Sequence, residues 1–192
     1  MTEKERIIEA ILEIELAMFL TVNPQQTSSC QEYPESFKLH RRAQFHPWSE
    51  EALGSYLDDL RRAKERGDNL MRQKYARMQG LLPPAAGSTV LEEIVRLKMA
   101  WQRAMFLSHP AVMSGARPLT DEGTQAQMTS FETYARGELE TYSERTLELL
   151  NRDLLAMQAR GESLSEMVYD YLVRASGYES LEEAEKKMKE RG

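Results

Sequence analysis

The chain has one cysteine, Cys30, in 192 residues. That excludes an internal disulfide framework and suits a reducing compartment. Its three histidines, His40, His46 and His109, are far apart. No Glu-x-x-His, His-Glu-x-x-His or Cys-x-x-Cys occurs, so neither a di-metal bundle site nor a zinc site is expected. Gly-x-Gly-x-x-Gly, a phosphate-binding loop and Gly-x-Ser-x-Gly are also missing, and no cofactor is expected. No run approaches the roughly 20 apolar residues that span a bilayer. The first residues are charged where a signal peptide needs an apolar stretch, which makes the cytoplasm the expected location. There is no excess of positive charge either. The formal net charge is −6, whereas a dedicated nucleic-acid binder carries a basic stripe to displace phosphate counterions.

What is present is the material of a soluble helical protein, 41% hydrophobic and 29% charged. The sequence also resembles itself. Displaced by 94 positions, residues 35–78 align with 129–172 without a gap. Ser36-Phe37 meets Ser130-Phe131, Arg42 meets Arg136, and Ser49-Glu50 meets Ser143-Glu144. Asp59-Leu60 meets Asp153-Leu154, Arg66-Gly67 meets Arg160-Gly161, and Tyr75 meets Tyr169. At a displacement of 87, Ala17-Met18-Phe19-Leu20 repeats as Ala104-Met105-Phe106-Leu107. Chance similarity between amphipathic helices rarely keeps glycine and aromatic positions together.

The expected fold is therefore all-α, a tandem duplication of a multi-helix unit packed with pseudo-two-fold symmetry into one domain. Residues 1–80 form the first unit, 81–88 a linker rich in Pro and Gly, and 89–178 the second unit. A charged C-terminal helix takes 179–192, opened by a capping box at Ser180 and Glu183. In each unit, helix A carries apolar residues at helical spacing, with the second copy starting at Thr89 and Glu92 in capping-box register. Helix B starts near Phe37 or Phe131. Pro47 predicts a break before helix C, while Glu140-Thr141-Tyr142 predicts that the second copy runs straight through. Gly67 and Gly161 read as helix-terminating glycines. Asn69 and Ser163 open helix D.

The chemistry lies in polar residues on faces that the period assigns to the core. On a helical wheel, Glu15 falls among Ile7, Ile8, Ile11, Leu12, Met18 and Phe19. Gln102 takes its place in the second copy. A buried carboxylate demands a partner. Helix B offers Arg41 on a face with Phe37, Gln44, Phe45 and Trp48; its copy offers Glu138 with Phe131, Leu139 and Tyr142. Arg41 is expected to pair with Glu138 or with Glu15. Arg42 and Arg136 sit at the edge of that face, with His40 and Tyr134 on its other side. One reading is a salt-bridge network that fixes how the halves dock. The sharper reading is a charged cleft between the units, built from Glu15, Arg41, Arg42, Arg136 and Glu138 and lined by Trp48, Tyr134 and Tyr142. Such a cleft suits a small anionic or zwitterionic ligand.

Three rivals accompany that reading. A small enzyme would use Glu15 or Glu138 as general base. A structural adaptor would instead bind a protein partner through its exposed faces. Arg103 and His109 have the Arg-x5-His spacing of helical ribonucleases of the HEPN type. Cys30, in the polar run Thr27-Ser28-Ser29-Cys30-Gln31, has no basic neighbour to activate it. No nucleic acid or membrane partner is expected.

The run from Thr129 to Ser143, with Ser29-Cys30-Gln31, Gln44-Phe45, Trp48 and Arg117-Pro118, resembles a bacterial family, number 4125 among domains of unknown function. The resemblance covers nearly the whole chain. It implies a prokaryotic cytosolic protein and no particular activity. One departure is Arg41-Arg42, where the family pattern has a single arginine.

Overall fold

A computed structural model describes residues 1–22, 34–83, 87–122 and 129–191. Among these are nine α-helices and no strand: α1 (Glu3–Leu20), α2 (Pro34–Phe45), α3 (Glu50–Glu65), α4 (Leu70–Met78), α5 (Thr89–Ser108), α6 (Phe131–Leu139), α7 (Glu144–Ala159), α8 (Leu164–Ala175) and α9 (Leu181–Lys189). A short 3-10 turn, Val112–Gly115, follows α5. No helix among the described residues is long and apolar enough to cross a membrane.

The helix starts follow from side-chain caps. Thr2, Ser49, Asn69, Ser88, Ser130, Ser143, Ser163 and Ser180 each accept a backbone N–H from the first turn, satisfying a donor that the helix leaves free. Gly67 and Gly161, at φ of 74° and 71°, take the left-handed conformation that ends α3 and α7.

Two expectations are corrected here. Helix α5 is capped by Ser88, and Glu92 pairs with Arg136 instead of closing a capping box. The stretch Glu140-Thr141-Tyr142 does not run straight through: α6 stops at Leu139 and α7 begins at Glu144. The break survives without proline because Ser143 caps α7 and its own N–H and hydroxyl donate to Asp59, at 3.0 and 2.9 Å. Those bonds hold the extended cap residue that a continuous helix would remove.

Helix α1 packs on α2, α3 and α4, and α5 packs on α6, α7 and α8. Between these sets, α3 lies on α7, α2 on α8 and α4 on α6. One apolar cluster runs through both sets, from Ile8, Ile11 and Leu12 through Phe45, Tyr56 and Leu60 to Ile94, Leu139 and Leu154. A satellite cluster of Met105, Met113, Val173, Leu181 and Ala184 seats α9. Gly137 lets α6 approach α4 closely. A Cβ there would sit 2.9 Å from Met78 Cγ and 3.2 Å from the Lys74 carbonyl oxygen. That approach brings Lys74 to the face of α6 that carries Glu138.

Candidate functional site: a buried chain of charges

Helix α1 places Glu15 in the core because its neighbours Ile8, Ile11, Leu12, Met18 and Phe19 bury that face. Glu15 is fully buried. Arg41, from α2, meets it side on: Nε donates to Oε2 at 2.8 Å and Nη2 to Oε1 at 2.6 Å. The two-point geometry uses the planar fork of a guanidinium. The Tyr56 hydroxyl of α3 donates a third bond to Glu15, at 2.6 Å. The other arm of Arg41, Nη1, reaches Gln44 Oε1 at 2.6 Å and Glu138 Oε1 at 2.7 Å.

Glu138, on α6, takes two more donors. Lys74 Nζ from α4 lies 2.9 Å from Oε2, and the Tyr142 hydroxyl donates to Oε1 at 2.6 Å. The result is a chain, Glu15–Arg41–Glu138–Lys74, in which each of the four side chains is at most 5% exposed. Phe45 closes one side, its ring 4.6 Å from the Arg41 guanidinium carbon. Trp48, Tyr56 and Tyr142 pack edge to face or tilted around the other.

Lys74 carries the chain towards the surface. Its Nζ stands 3.8 Å from the ring centre of Tyr134, and the guanidinium of exposed Arg117 lies 4.9 Å from the same ring. Tyr134 is half-buried. Its phenol is lowered from the ordinary range: burial raises it, but Lys74 and Arg41 outweigh burial. Lys98, on α5, is a half-buried member of the same group. Burial lowers its ammonium below the ordinary 10.5; Arg41 and Lys74 lower it further, while Glu138 and Tyr134 raise it. Among the described residues Lys98 makes no hydrogen bond or ion pair.

The ionisation of Glu138 is settled by its cations. Burial pushes the carboxyl up, but Arg41, Lys74 and Lys98 together hold it well below the usual carboxylate range. The unfolded chain takes up this proton near the ordinary value of 4.5. Stability from this group is therefore complete above that pH and is lost as pH falls towards the depressed folded value. In urea titrations from pH 7 to 3, the midpoint is expected to fall below about pH 4.5, and to fall less in Glu138→Gln, which cannot take up that proton. Equal slopes in both proteins would contradict this assignment.

Of the residues singled out from sequence, the structure brings Glu15, Arg41, Trp48, Tyr134, Glu138 and Tyr142 together. Arg41 pairs with both carboxylates at once, not with one or the other. Arg42 and Arg136 are elsewhere. Arg42 pairs with Glu9, and Arg136 with Glu92 and Glu132, all with side chains a third exposed or more. The pairs with Glu9 and Glu92 tether α2 to α1 and α6 to α5, the pair with Glu132 lies within α6, and each is worth under about 1 kcal/mol. Cys30 lies outside the described residues. His40 and His46 are exposed, as is Arg103, while His109 bonds Ser108. No group of His, Cys, Asp and Glu among the described residues could hold a metal ion. Sequence reasoning missed Tyr56, Lys74 and Lys98. The repeat held a usable signal for the two lysines: Lys74 stands opposite Val168 and Lys98 opposite core Ile11.

These features define an all-helical protein with ion pairs through its interior and a cation-rich end at its surface. The chain belongs to the family described as protein of unknown function (DUF4125), whose model matches residues 5–186. No curated protein and no solved structure matches it.

Proposed function

We propose that this protein binds a small anion, a carboxylate or a phosphate, at the cation-rich end of the charge chain. The observation that carries this reading is an imbalance. Three cations, Arg41, Lys74 and Lys98, act on two carboxylates, Glu15 and Glu138, and Lys98 makes no hydrogen bond or ion pair among the described residues. A cation taken partly out of water with no direct acceptor is costly. An anion would relieve that cost, with Arg117 above Tyr134 as a further donor. The inner part of the chain has a different task, since each carboxylate there already spends both oxygens on donors. That leaves little support for Glu15 or Glu138 as a general base.

The site would lie between two copies of one duplicated unit, 1–80 and 89–178, related by a pseudo-two-fold axis. Three features support this part of the reading. The packing pairs exchange: α1 with α3 corresponds to α5 with α7, and α2 with α8 to α4 with α6. The helix caps cross between units, Ser49 N–H donating to Asp153 at 2.8 Å as Ser143 donates to Asp59. Gln44 and Glu138, equivalent at a displacement of 94, meet at the same nitrogen of Arg41.

Titration calorimetry with inorganic phosphate and with succinate, at low ionic strength, tests the proposal. Wild type should bind at least one of them. Lys98→Met and Arg117→Ala should each weaken that binding by roughly tenfold, the loss of one charge-assisted hydrogen bond. Absence of binding in wild type, or unchanged affinity in both variants, would overturn it.

A further inference from the structure

We infer that a groove between α1, α3 and α7 is a second binding site, and that it takes a short zwitterion with an ammonium at one end and a phosphate or carboxylate at the other. The groove holds about 420 Å³ and is lined by Ser55, by Gly54 and by side chains of both charges. It is separate from the charge chain, since none of Arg41, Lys74, Lys98 and Glu138 lines it. Ser55 is only 7% exposed, and its oxygen lies 2.7 Å from Thr146 Oγ1. The direction of that bond follows from counting protons. Thr146 has one hydroxyl proton and gives it to Asp59, at 2.7 Å, because a carboxylate only accepts. Ser55 must therefore donate to Thr146. Its own proton is then spent, and its oxygen is left to accept. A ligand that satisfies it brings a donor.

An ammonium is the donor that the surroundings favour. Glu51 and Asp58 line the groove from the same helix, one turn to either side of Ser55, at spacings that share a helix face. Both have room for a further donor: Glu51 meets Arg152 at 2.8 Å, and Arg61 stands off Asp58 at 3.7 Å. The opposite charge comes from Arg61 and from Arg145, which directly precedes Thr146 in α7 and also lines the groove. Among the described residues Arg145 makes no hydrogen bond or ion pair. It lies in the first turn of α7, where the helix dipole also favours an anion. Gly54 keeps the space open. A Cβ there would meet nothing within 4 Å, so packing does not demand glycine, which weakens a helix interior. At the displacement of 94, core Leu53 and Leu60 recur as Leu147 and Leu154, but Glu148 and Leu149 stand opposite Gly54 and Ser55. The groove residues depart from a repeat that their core neighbours keep.

The test is binding of O-phosphoethanolamine to the full chain at neutral pH and low ionic strength, with ethanolamine and inorganic phosphate as the two half-molecules. Titration calorimetry gives the affinities, and the amide resonances of Gly54 and Ser55 give the place. O-phosphoethanolamine should shift both resonances and bind roughly tenfold tighter than either half, because its two ends bind together. Ser55→Ala and Arg145→Ala should each weaken it by roughly tenfold. Gly54→Leu should abolish it by filling the groove. Its thermal melt should show an intact fold, since the new side chain starts in open space and replaces a glycine inside a helix. The cation-rich end at Lys98 and Arg117 would rank the probes the other way, because an added ammonium is repelled there. Preference for phosphate over O-phosphoethanolamine, with binding kept in Arg145→Ala and lost in Arg117→Ala, would overturn the inference and leave the anion site standing. Unshifted Gly54 and Ser55 resonances, or equal affinity in wild type and Gly54→Leu, would overturn it too.

Discussion

Arg41→Met is expected to cost about 3–5 kcal/mol, the effect of breaking a buried ion pair by removing one partner. The large value follows from Arg41 serving two carboxylates at once, Glu15 and Glu138. Methionine fills the stem but leaves Glu15 fully buried with only the Tyr56 hydroxyl. Glu138 fares better, since Lys74 and Tyr142 remain. Adding Glu15→Leu should therefore recover part of the loss by removing the orphaned charge, and the two changes should be far from additive. Urea unfolding reads both effects. A loss under 1 kcal/mol, or simple additivity, would mean that water reaches the charges and that the chain does not lock the helices together.

Asp59→Ala is expected to be the second most damaging change, at about 2–4 kcal/mol. Asp59 Oδ2 accepts from the Ser143 N–H, the Ser143 hydroxyl and the Thr146 hydroxyl, at 3.0, 2.9 and 2.7 Å. Its loss removes an acceptor at the start of α7 and leaves buried donors unmet. Asp153 does the matching task for α3 with a single bond to Ser49 N–H, at 2.8 Å. Asp153→Ala should therefore cost less. Thermal melts of the two variants side by side decide the order, and a reversed order would refute the bond-based account.

The buried polar faces were legible in the sequence because a carboxylate among isoleucines at helical spacing has few explanations. Glu15 announced a partner, and Arg41 was the basic residue on the facing apolar stripe. The direction of Arg42 and Arg136 was not legible. Both lie at the edge of a face, where a small rotation of the helix decides between core and solvent. Here acidic residues on the neighbouring helix, Glu9 and Glu92, draw them outward. The break between α6 and α7 was missed for a similar reason. Its cause is a side chain on another helix, Asp59, and no local pattern around residues 140–142 records it. The repeat itself pointed to Asp59 and Asp153, and to Ser49 and Ser143, as matched pairs. That Ser49 bonds Asp153 and Ser143 bonds Asp59 is a tertiary fact. Lys98 carries a signal of the same kind: at a displacement of 87 it stands opposite core Ile11, where an apolar side chain is expected.

The most direct measurement is the titration of Lys98 itself, followed by the carbon resonance of its ε-methylene group, assigned through Lys98→Arg. Without added anion, Lys98 should titrate below its ordinary 10.5, because burial and the cations Arg41 and Lys74 disfavour its charged form. With phosphate bound, the midpoint should rise, since an anion stabilises the ammonium. A resonance that titrates at the ordinary value and ignores phosphate would contradict the account, leaving Lys98 a solvated surface lysine and the charge chain a structural cross-link alone.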